Sequence, residues 1–215
     1  MSRTISEAPP EVPPEVPPEA IAAPVPARRA HNRLQQVLDG AARVFAQRGF
    51  SAASVRDIVQ PIGMQPGSLY YHFPTKEDLL VAVYREGVRR LSGKVDAAAA
   101  AGRDPWKRLE AACVAHLASL LDRTDYSQVV IRVRPGDAPS VAAQLVELRN
   151  HYEQRFVRLV AELPLAPGVR RSDLRLMLMG ALNWSQEWYR DDGRLRPEQI
   201  ARSFVGLLKG GLDRP

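Results

Sequence analysis

Hydrophobic positions recur every three or four residues along most of the chain, which is the spacing of one face of an α-helix. The first such segment begins near His31 and stops at Gly49, a residue type that commonly ends helices. Its apolar positions are Leu34, Val37, Leu38, Ala41, Val44 and Phe45. No strand-like alternation of apolar and polar residues persists further along. The pattern therefore predicts an all-α protein.

Two short helices are predicted next. Ser54 has N-cap chemistry, and Asp57 stands three residues later as its capping-box partner, which indicates the start of a second helix. Gly63 interrupts this helix, and Pro66 suits the first turn of a third one that runs to about Phe73.

A long fourth helix follows a sharp stop. Pro74 ends the third helix, and Thr75 has the chemistry to cap a helix over about 76–94. Glu77 and Asp78 lie in its first turn, where the helix dipole favours acidic side chains. The predicted order is long helix, short helix, tight turn, short helix, long helix.

The rest of the chain keeps the helical period. Further helices are predicted at about 105–121, 125–134, 138–162, 172–189 and 197–212. The segment 174–184 is apolar nearly all round, apart from Arg175 and Asn183. A helix of this kind must be covered on more than one side, which points to a partner subunit.

Composition narrows the class of protein. The 215 residues contain no run of 18 uncharged apolar residues, and the N-terminus lacks the apolar centre of a signal peptide. We therefore expect a cytoplasmic protein without a membrane segment. Cys113 is the single cysteine, which excludes an intramolecular disulfide and a zinc site built on paired cysteines. It is interpreted as a small buried hydrophobe.

Charge and proline are unevenly distributed. Residues 1–27 hold eight of the 18 prolines and carry a net charge of −3, which predicts an extended, disordered tail or a ligand for a proline-binding module. Residues 28–94 carry +6 and residues 95–215 carry +3. The basic excess is concentrated where the short helices lie, which favours a polyanionic partner.

One segment, 63–76, carries nucleic-acid chemistry. It reads Gly-Met-Gln-Pro-Gly-Ser-Leu-Tyr-Tyr-His-Phe-Pro-Thr-Lys. A helix N-terminus and Tyr, His and Lys donors suit phosphate contacts, while Gly67 and Ser68 permit close approach to base edges. In a helix-turn-helix this short helix would enter the major groove.

Over about residues 30–90 the chain resembles the TetR family of transcriptional regulators. The residues that carry the resemblance are Phe45, Gly49, Phe50, Ser54, Val55, Arg56, Asp57, Ile58, Gly63, Met64, Ser68, Leu69, Tyr70, Tyr71, His72, Phe73, Lys76, Leu79 and Leu80. The resemblance implies a three-helix DNA-binding domain at 28–75. It also implies a larger helical ligand-binding and dimerisation domain at 76–215, joined through a connecting helix at 76–94.

The resemblance also implies which side chains meet DNA. Ser54 and Arg56 would lie near phosphates, Gln65, Pro66, Gly67 and Ser68 would face the groove, and Tyr71, His72 and Lys76 would clamp the backbone. Leu69, Tyr70 and Phe73 would hold the helices together as core residues. Val59 and Pro61 depart from the family pattern, and Pro61 should kink or shorten the second helix.

A second site is expected in the larger domain. The segment 180–189, with Phe204, Gly206 and Gly210, is more weakly similar to family members that respond to acyl-CoA thioesters. The candidate cavity residues are Leu117, Leu121, Val130, Leu148, Tyr152, Met177, Asn183 and Trp184. Arg132 and Arg134 are candidate phosphate partners if the ligand is a CoA thioester. His116 and His151 lack metal-ligand spacing and are interpreted as core or surface residues.

These features predict a ligand-responsive repressor that binds a pseudo-palindromic operator as a homodimer. A small apolar effector is expected to release the repressor from the operator, and an acyl-CoA of lipid or sterol catabolism is the candidate effector. No cofactor or metal is expected. The alternatives are an activator or a regulator without an effector. An enzyme is disfavoured because no paired carboxylates, nucleophile elbow, phosphate-binding glycine loop or metal signature is present. A helical interaction protein recruited through the proline-rich tail is the remaining alternative.

Overall fold

The computed structural model describes residues 27–212, with side chains from 32 to 211, so most of the predicted tail lies outside the described residues. Nine α-helices make up this part of the chain. They are α1 (Ala27–Arg48), α2 (Val55–Val59), α3 (Pro66–His72), α4 (Lys76–Ala100), α5 (Pro105–Leu121), α6 (Asp125–Arg132), α7 (Ala142–Ala161), α8 (Arg171–Trp188) and α9 (Pro197–Leu212). No strand occurs in residues 27–212, and the all-α class is confirmed.

The start of α2 is set by the predicted capping box. The Asp57 backbone N–H donates to Ser54 Oγ at 3.3 Å, and the Ser54 backbone N–H donates to the Asp57 carboxylate at 3.0 Å. The Ser54 hydroxyl donates to the same carboxylate at 2.7 Å, and Arg48 forms an ion pair with it. These donors hold the pKa of Asp57 below its ordinary value.

Pro61 shortens α2 as predicted. The α-helix ends at Val59, and the chain continues as a single 3₁₀ turn over Gln60–Ile62. Proline lacks the backbone donor that a longer helix would need. Gly63 then adopts a left-handed conformation with φ of 62°, which turns the chain toward α3.

Two helix boundaries beyond α3 differ from the prediction by four or more residues, and α6, α7 and α8 otherwise differ from it by only one or two. The connecting helix α4 ends at Ala100 rather than near residue 94, because Ala-rich sequence favours helix and the next glycine is Gly102. Helix α7 begins at Ala142 rather than 138. Pro135 and Pro139 instead each open a 3₁₀ turn.

The nine helices pack around one continuous core. Helix α4 contacts α1, α5, α6 and α7, and α5 lies between α4 and α9. Gly87 allows α4 and α6 to approach closely, since a Cβ there would lie 2.7 Å from Val130 Cγ2. Cys113 is fully buried in the core, and burial raises the pKa of its thiol, which confirms its interpretation as a hydrophobe.

Helix α1 also packs along α6, so the short helices join the larger domain through two separate elements, α4 and the α1–α6 contact. Among the helices described, none is both long enough and apolar enough to cross a bilayer.

Candidate DNA interface and effector cavity

Helix α3 presents most of its surface to solvent. Leu69 anchors it with 1% of its surface exposed, while Tyr71 is 86% exposed. Gln65, Gly67, Ser68 and His72 are also exposed, and Pro66 is half-buried at the first helical position. Three of the four predicted groove-facing residues are therefore exposed at the start of α3, and Pro66 is half-buried there.

Tyr70 corrects the sequence interpretation. The prediction places it in the core with Leu69 and Phe73, but Tyr70 is 48% exposed. Helix α3 is only seven residues long and is anchored mainly through Leu69, with Phe73 half-buried just beyond its end. The side chains that follow Leu69 therefore lie on the solvent-exposed side of α3, and Tyr70 is at the surface with Tyr71.

Lys76 has a different position from the one predicted. The ammonium of Lys76 donates to the carbonyl oxygens of Phe50 and Ala53, each at 3.0 Å. It also lies 4.4 Å from the centroid of the Phe50 ring. The half-buried side chain thus ties the α1–α2 loop to the start of α4, instead of extending outward as a phosphate clamp would.

Ser54 and Arg56 lie at the start of α2, directly after the loop that Lys76 holds through the Ala53 carbonyl. Ser54 is exposed, but its hydroxyl is engaged in the capping box described above. Arg56 is exposed at the start of α2. Of the predicted phosphate contacts, Arg56 is the exposed cation.

A cavity of about 760 Å³ lies among α4, α5, α6, α7 and α8. This volume suits a drug-sized ligand. Three of the eight predicted residues line this cavity: Val130, Tyr152 and Asn183. The other five lie elsewhere.

The five misplaced residues are corrected as follows. Leu117 is fully buried in the core. The cavity face of α5 is formed by His116, Ser119 and Leu120 instead. Leu121 lines a neighbouring cavity, and Leu148 is half-buried outside the cavity lining.

Met177 and Trp184 point outward from α8, at 57% and 66% exposure. The cavity face of α8 is formed instead by Met179, Asn183 and Gln186. Those positions recur at helical spacing, and 177 and 184 fall on another side of the helix.

A row of polar side chains lines the cavity and connects three helices. His116 Nδ1 lies 2.7 Å from the Tyr152 hydroxyl, and His116 Nε2 lies 3.1 Å from Asn183 Oδ1. Burial lowers the pKa of His116 to about 4, partly opposed by the hydrogen bond to Asn183. Burial also raises the pKa of Tyr152. The row is therefore uncharged near neutral pH.

Sequence reasoning missed His116 as a cavity residue, because one histidine on an apolar helix has no motif. His116 is three and four residues before Ser119 and Leu120, so these residues share one face of α5, and this spacing could have placed His116 on the cavity face.

Cations lie elsewhere on the cavity wall. Arg90 and Lys94 come from α4, Arg134 follows α6, and Arg149 comes from α7. Arg90 pairs with Glu86 at 2.7 Å, and Lys94 pairs with Asp122 at 3.3 Å.

A second cavity of about 410 Å³ shares Arg134 with the first. Arg123 and Arg132 also line it. The apolar cavity therefore borders a region with several guanidinium groups, and both predicted phosphate partners lie there.

Comparison with known proteins identifies the family to which this architecture belongs. Residues 37–83 match the model of the bacterial regulatory proteins of the tetR family. Residues 102–212 match the tetracyclin repressor-like C-terminal domain, which covers half of the chain. The chain belongs to the TetR family of transcriptional regulators.

Individual relatives agree with this assignment. This TetR-family chain is 30% identical over 192 residues to the transcriptional repressor KstR2 of Mycolicibacterium smegmatis, covering 85% of this chain and 92% of KstR2. It is similar in fold to the ketosteroid transcriptional regulator KstR2 of Mycobacterium tuberculosis, at 21% identity and a TM-score of 0.63, covering 91% and 100% of the two chains. It is also similar in fold to AibR solved with isovaleryl coenzyme A and operator DNA, at 24% identity and a TM-score of 0.68, covering 81% and 97%. The protein is thus a TetR-family transcriptional repressor.

In this TetR-family regulator, one cavity residue also contacts α1. The Tyr126 hydroxyl donates to Asp39 Oδ1 on α1 at 2.9 Å and accepts from Gln35 at 3.2 Å. The Arg90 guanidinium lies 4.0 Å from the centroid of the Tyr126 ring. Desolvation and the neighbouring Asp39 raise the pKa of Tyr126. Sequence reasoning missed this contact, which joins residues 87 positions apart.

Helices α8 and α9 of the regulator leave a large apolar surface uncovered. Its exposed members are Leu176, Met177, Trp184 and Trp188 on α8 and Leu207 on α9. Large apolar side chains gathered on the surface mark an interaction site, and this region coincides with the helix that the sequence predicts to be covered by a partner.

Proposed function

We propose that the protein is a ligand-gated repressor, which binds a pseudo-palindromic operator as a homodimer and leaves it when an effector fills the cavity. We assign residues 28–75 to the DNA-reading domain and residues 76–215 to the ligand and dimerisation domain. The observation that carries this proposal is Tyr126, which lines the cavity and donates a hydrogen bond to α1. Cavity and DNA-binding helices are therefore in direct contact.

The DNA-reading surface is assigned to α3 and the start of α2. Ser54, Arg56, Tyr71 and His72 are proposed to lie at phosphates, and residues 65–68 are proposed to face the base edges. Lys76 acts in this proposal as a positioning residue, because its ammonium holds the loop that carries α2.

Substitutions on this surface should separate affinity from sequence preference. Arg56→Ala is expected to weaken binding to every sequence alike and to reduce the slope of log affinity against log salt by about two, since the proposed dimer loses one phosphate contact in each half-site. Tyr71→Phe removes only a hydroxyl and should cost about 10- to 100-fold in affinity, as expected for a hydrogen bond to a charged group. Gln65→Ala should change the preferred operator sequence. Fluorescence anisotropy with operator variants at several salt concentrations measures all three effects.

Arg158→Ala is the matched control, since it removes one exposed cation from α7, far along the chain from α3. It should leave both affinity and salt slope unchanged. The assignment of this surface would be contradicted if three variants bound operator like wild type: Arg56→Ala, Tyr71→Phe and Gln65→Ala.

The effector class is proposed from the cavity and from the relatives. The cavity combines an apolar wall with four cationic side chains and borders the Arg123 and Arg132 region. Those features suit an acyl group attached to a phosphate-bearing carrier. AibR was solved with an acyl-CoA and operator DNA, and KstR2 is described as a ketosteroid regulator. We therefore propose an acyl-CoA of lipid or sterol catabolism.

Gating is proposed to pass through α4 and through the Tyr126–Asp39 hydrogen bond. Both elements connect the cavity to the DNA-reading domain, so movement of α6 or α4 changes the separation of the two α3 helices in a dimer. If the bound effector favours a dimer whose two α3 helices do not match the spacing of the half-sites, by about 1–3 kcal/mol, operator affinity falls by about 5- to 150-fold.

Tyr126→Phe tests this connection, because it removes the hydroxyl that reaches Asp39 while keeping the ring. The variant should still bind octanoyl-CoA, but the thioester should release operator less effectively than it does from wild type. Titration of octanoyl-CoA, octanoate and CoA into the protein–operator complex provides the measurement.

Tyr189→Phe, which changes a half-buried tyrosine outside the cavity lining, serves as the control and should respond like wild type. Equal release from wild type and Tyr126→Phe would contradict the proposed connection. Tighter operator binding with octanoyl-CoA would instead indicate an activator-type response, and no effect of any acyl species would reject this ligand class.

A further inference from the structure

The Tyr152–His116–Asn183 row has a defined hydrogen-bond direction. An amide oxygen can only accept, so Asn183 Oδ1 must receive the proton of His116 Nε2 across their 3.1 Å contact. A neutral imidazole carries a single N–H, and the lone pair therefore lies on Nδ1. The Tyr152 hydroxyl consequently donates to His116 Nδ1 over 2.7 Å.

The neutral state of the imidazole follows from its surroundings. His116 is fully enclosed, and aromatic rings pack against it: Tyr152 in a stacked arrangement and Phe156 edge-on. Its two ring nitrogens face a hydroxyl and an amide, neither of which is charged. Burial accordingly lowers the pKa of His116 to about 4, so the direction of the row is constant above pH 5.

This direction fixes which end of the Asn183 amide meets a ligand. A free asparagine can turn its amide over and offer either oxygen or nitrogen. Here His116 holds the oxygen, so the NH₂ group is the free end. Among the described side chains Asn183 Nδ2 donates to no protein acceptor, and Asn183 lies on the cavity face of α8 with Met179 and Gln186.

Three of the four cavity cations belong to elements outside the row. Arg90 and Lys94 lie on α4 and Arg134 follows α6, whereas the row joins α5, α7 and α8. Arg149 shares α7 with Tyr152. An anionic group is stabilised at the cations, whereas the three side chains of the row supply no opposite charge to a carboxylate that loses its hydration beside them.

We propose that Asn183, positioned by His116 and Tyr152, determines effector specificity by donating a hydrogen bond to an uncharged carbonyl oxygen on an otherwise apolar part of the effector. The inference rests on the proposed function, since it takes the cavity to be the effector site. It names a ketone or thioester carbonyl as the group that the inner wall recognises. A hydrocarbon lacks the acceptor, and a carboxylate carries a charge that the row does not neutralise.

The test compares two probes that differ in this group alone. Isothermal titration should show that the full-length wild type binds 2-undecanone about 5- to 10-fold more tightly than undecane, the effect of one net hydrogen bond. Asn183→Leu should remove this preference, and so should Asn183→Asp, which replaces the NH₂ donor by an acceptor. Gln186→Leu changes a neighbouring residue on the same cavity face and should keep the preference.

Two spectroscopic readouts report the hydrogen bond itself. The carbonyl ¹³C resonance of bound, labelled 2-undecanone should lie further downfield in the complexes of wild type and Gln186→Leu than in the complex of Asn183→Leu. Histidine ¹⁵N spectra should show His116 protonated at Nε2. His116→Gln should weaken ketone preference without abolishing undecane binding, as expected for loss of a positioning residue.

Several results would overturn the inference: equal binding of ketone and hydrocarbon by wild type, an undiminished preference in both Asn183 variants, or an imidazole protonated at Nδ1. These measurements use no DNA. Asn183-dependent ketone binding without operator release would therefore retain the specificity assignment and reject the gating. If octanoyl-CoA releases the operator equally from wild type and from the Asn183 variants, the gating is retained and the specificity assignment is rejected.

Discussion

Replacing Leu207 by glutamate is expected to convert the protein from a dimer to a monomer and to weaken operator binding by more than about 100-fold. Leu207 is 75% exposed on α9, and the exposed Trp184 lies on the contacting helix α8. In the proposed twofold dimer these side chains become buried. A carboxylate brought into that apolar interface loses its hydration without a partner, which costs several kcal/mol.

The large effect on DNA follows from bivalency. A dimer that engages two half-sites gains about 10²- to 10⁴-fold over one reading domain, and a monomer loses this gain. Analytical ultracentrifugation at micromolar concentration and operator titrations should show both losses together, with Trp184→Glu behaving like Leu207→Glu.

The matched control adds the same charge to an exposed position of α7. Gln154→Glu should stay dimeric and bind operator like wild type. A Leu207→Glu protein that sediments as a dimer, or a monomer that keeps full operator affinity, would rule out the α8–α9 interface.

The second large effect is the loss of stability when the solution is acidified through the pKa of His116. Its pKa is about 4 in the folded protein and about 6.5 in the unfolded chain. Above pH 6.5 the imidazole is neutral in both states. Between pH 6.5 and 4 the unfolded chain binds a proton that the folded protein does not, so the free energy of unfolding falls by about 3 kcal/mol from this group.

Urea unfolding of wild type and His116→Gln at pH 7.5, 5.5 and 4.5 measures this contribution. Carboxylates titrate in both proteins, and the difference between the two curves isolates the imidazole. Wild type should be more stable at pH 7.5, and its advantage should shrink as the pH falls.

Tyr152→Phe distinguishes titration from loss of a hydrogen bond. It removes the hydroxyl that donates to His116 but keeps the imidazole. We expect lower stability at all three pH values with the acid sensitivity retained. A constant difference between wild type and His116→Gln from pH 7.5 to 4.5 would show that His116 is not held neutral.

The helices and their ends were readable from the sequence because they depend on interactions between near neighbours. Ser54 caps α2 through Asp57 three residues away, Pro61 shortens that helix, and Gly63 turns the chain. Proline at the first helical position likewise marked the starts of α5 and α9 at their observed residues. The motif at 63–76 identified the candidate DNA surface for the same reason, since its residues are contiguous.

Errors within that surface have a tertiary origin. The pattern alone placed Tyr70 inside, but the side of a seven-residue helix that becomes buried depends on how α3 packs on its neighbours. Lys76 looked like an exposed cation, and only the folded loop brings the carbonyl oxygens of Phe50 and Ala53 to its ammonium.

The cavity was decided by the tertiary structure. His116 meets Asn183 across 67 residues, and Tyr126 meets Asp39 across 87. Hydrophobic spacing fixes which positions of a helix share a face, but the rotation of each helix in the bundle decides which face lines the cavity. That rotation placed Asn183 on the cavity lining and Trp184 outside it on the same helix. The sequence by itself therefore determined the helices and the family, whereas long-range packing determined the cavity and its contact with α1.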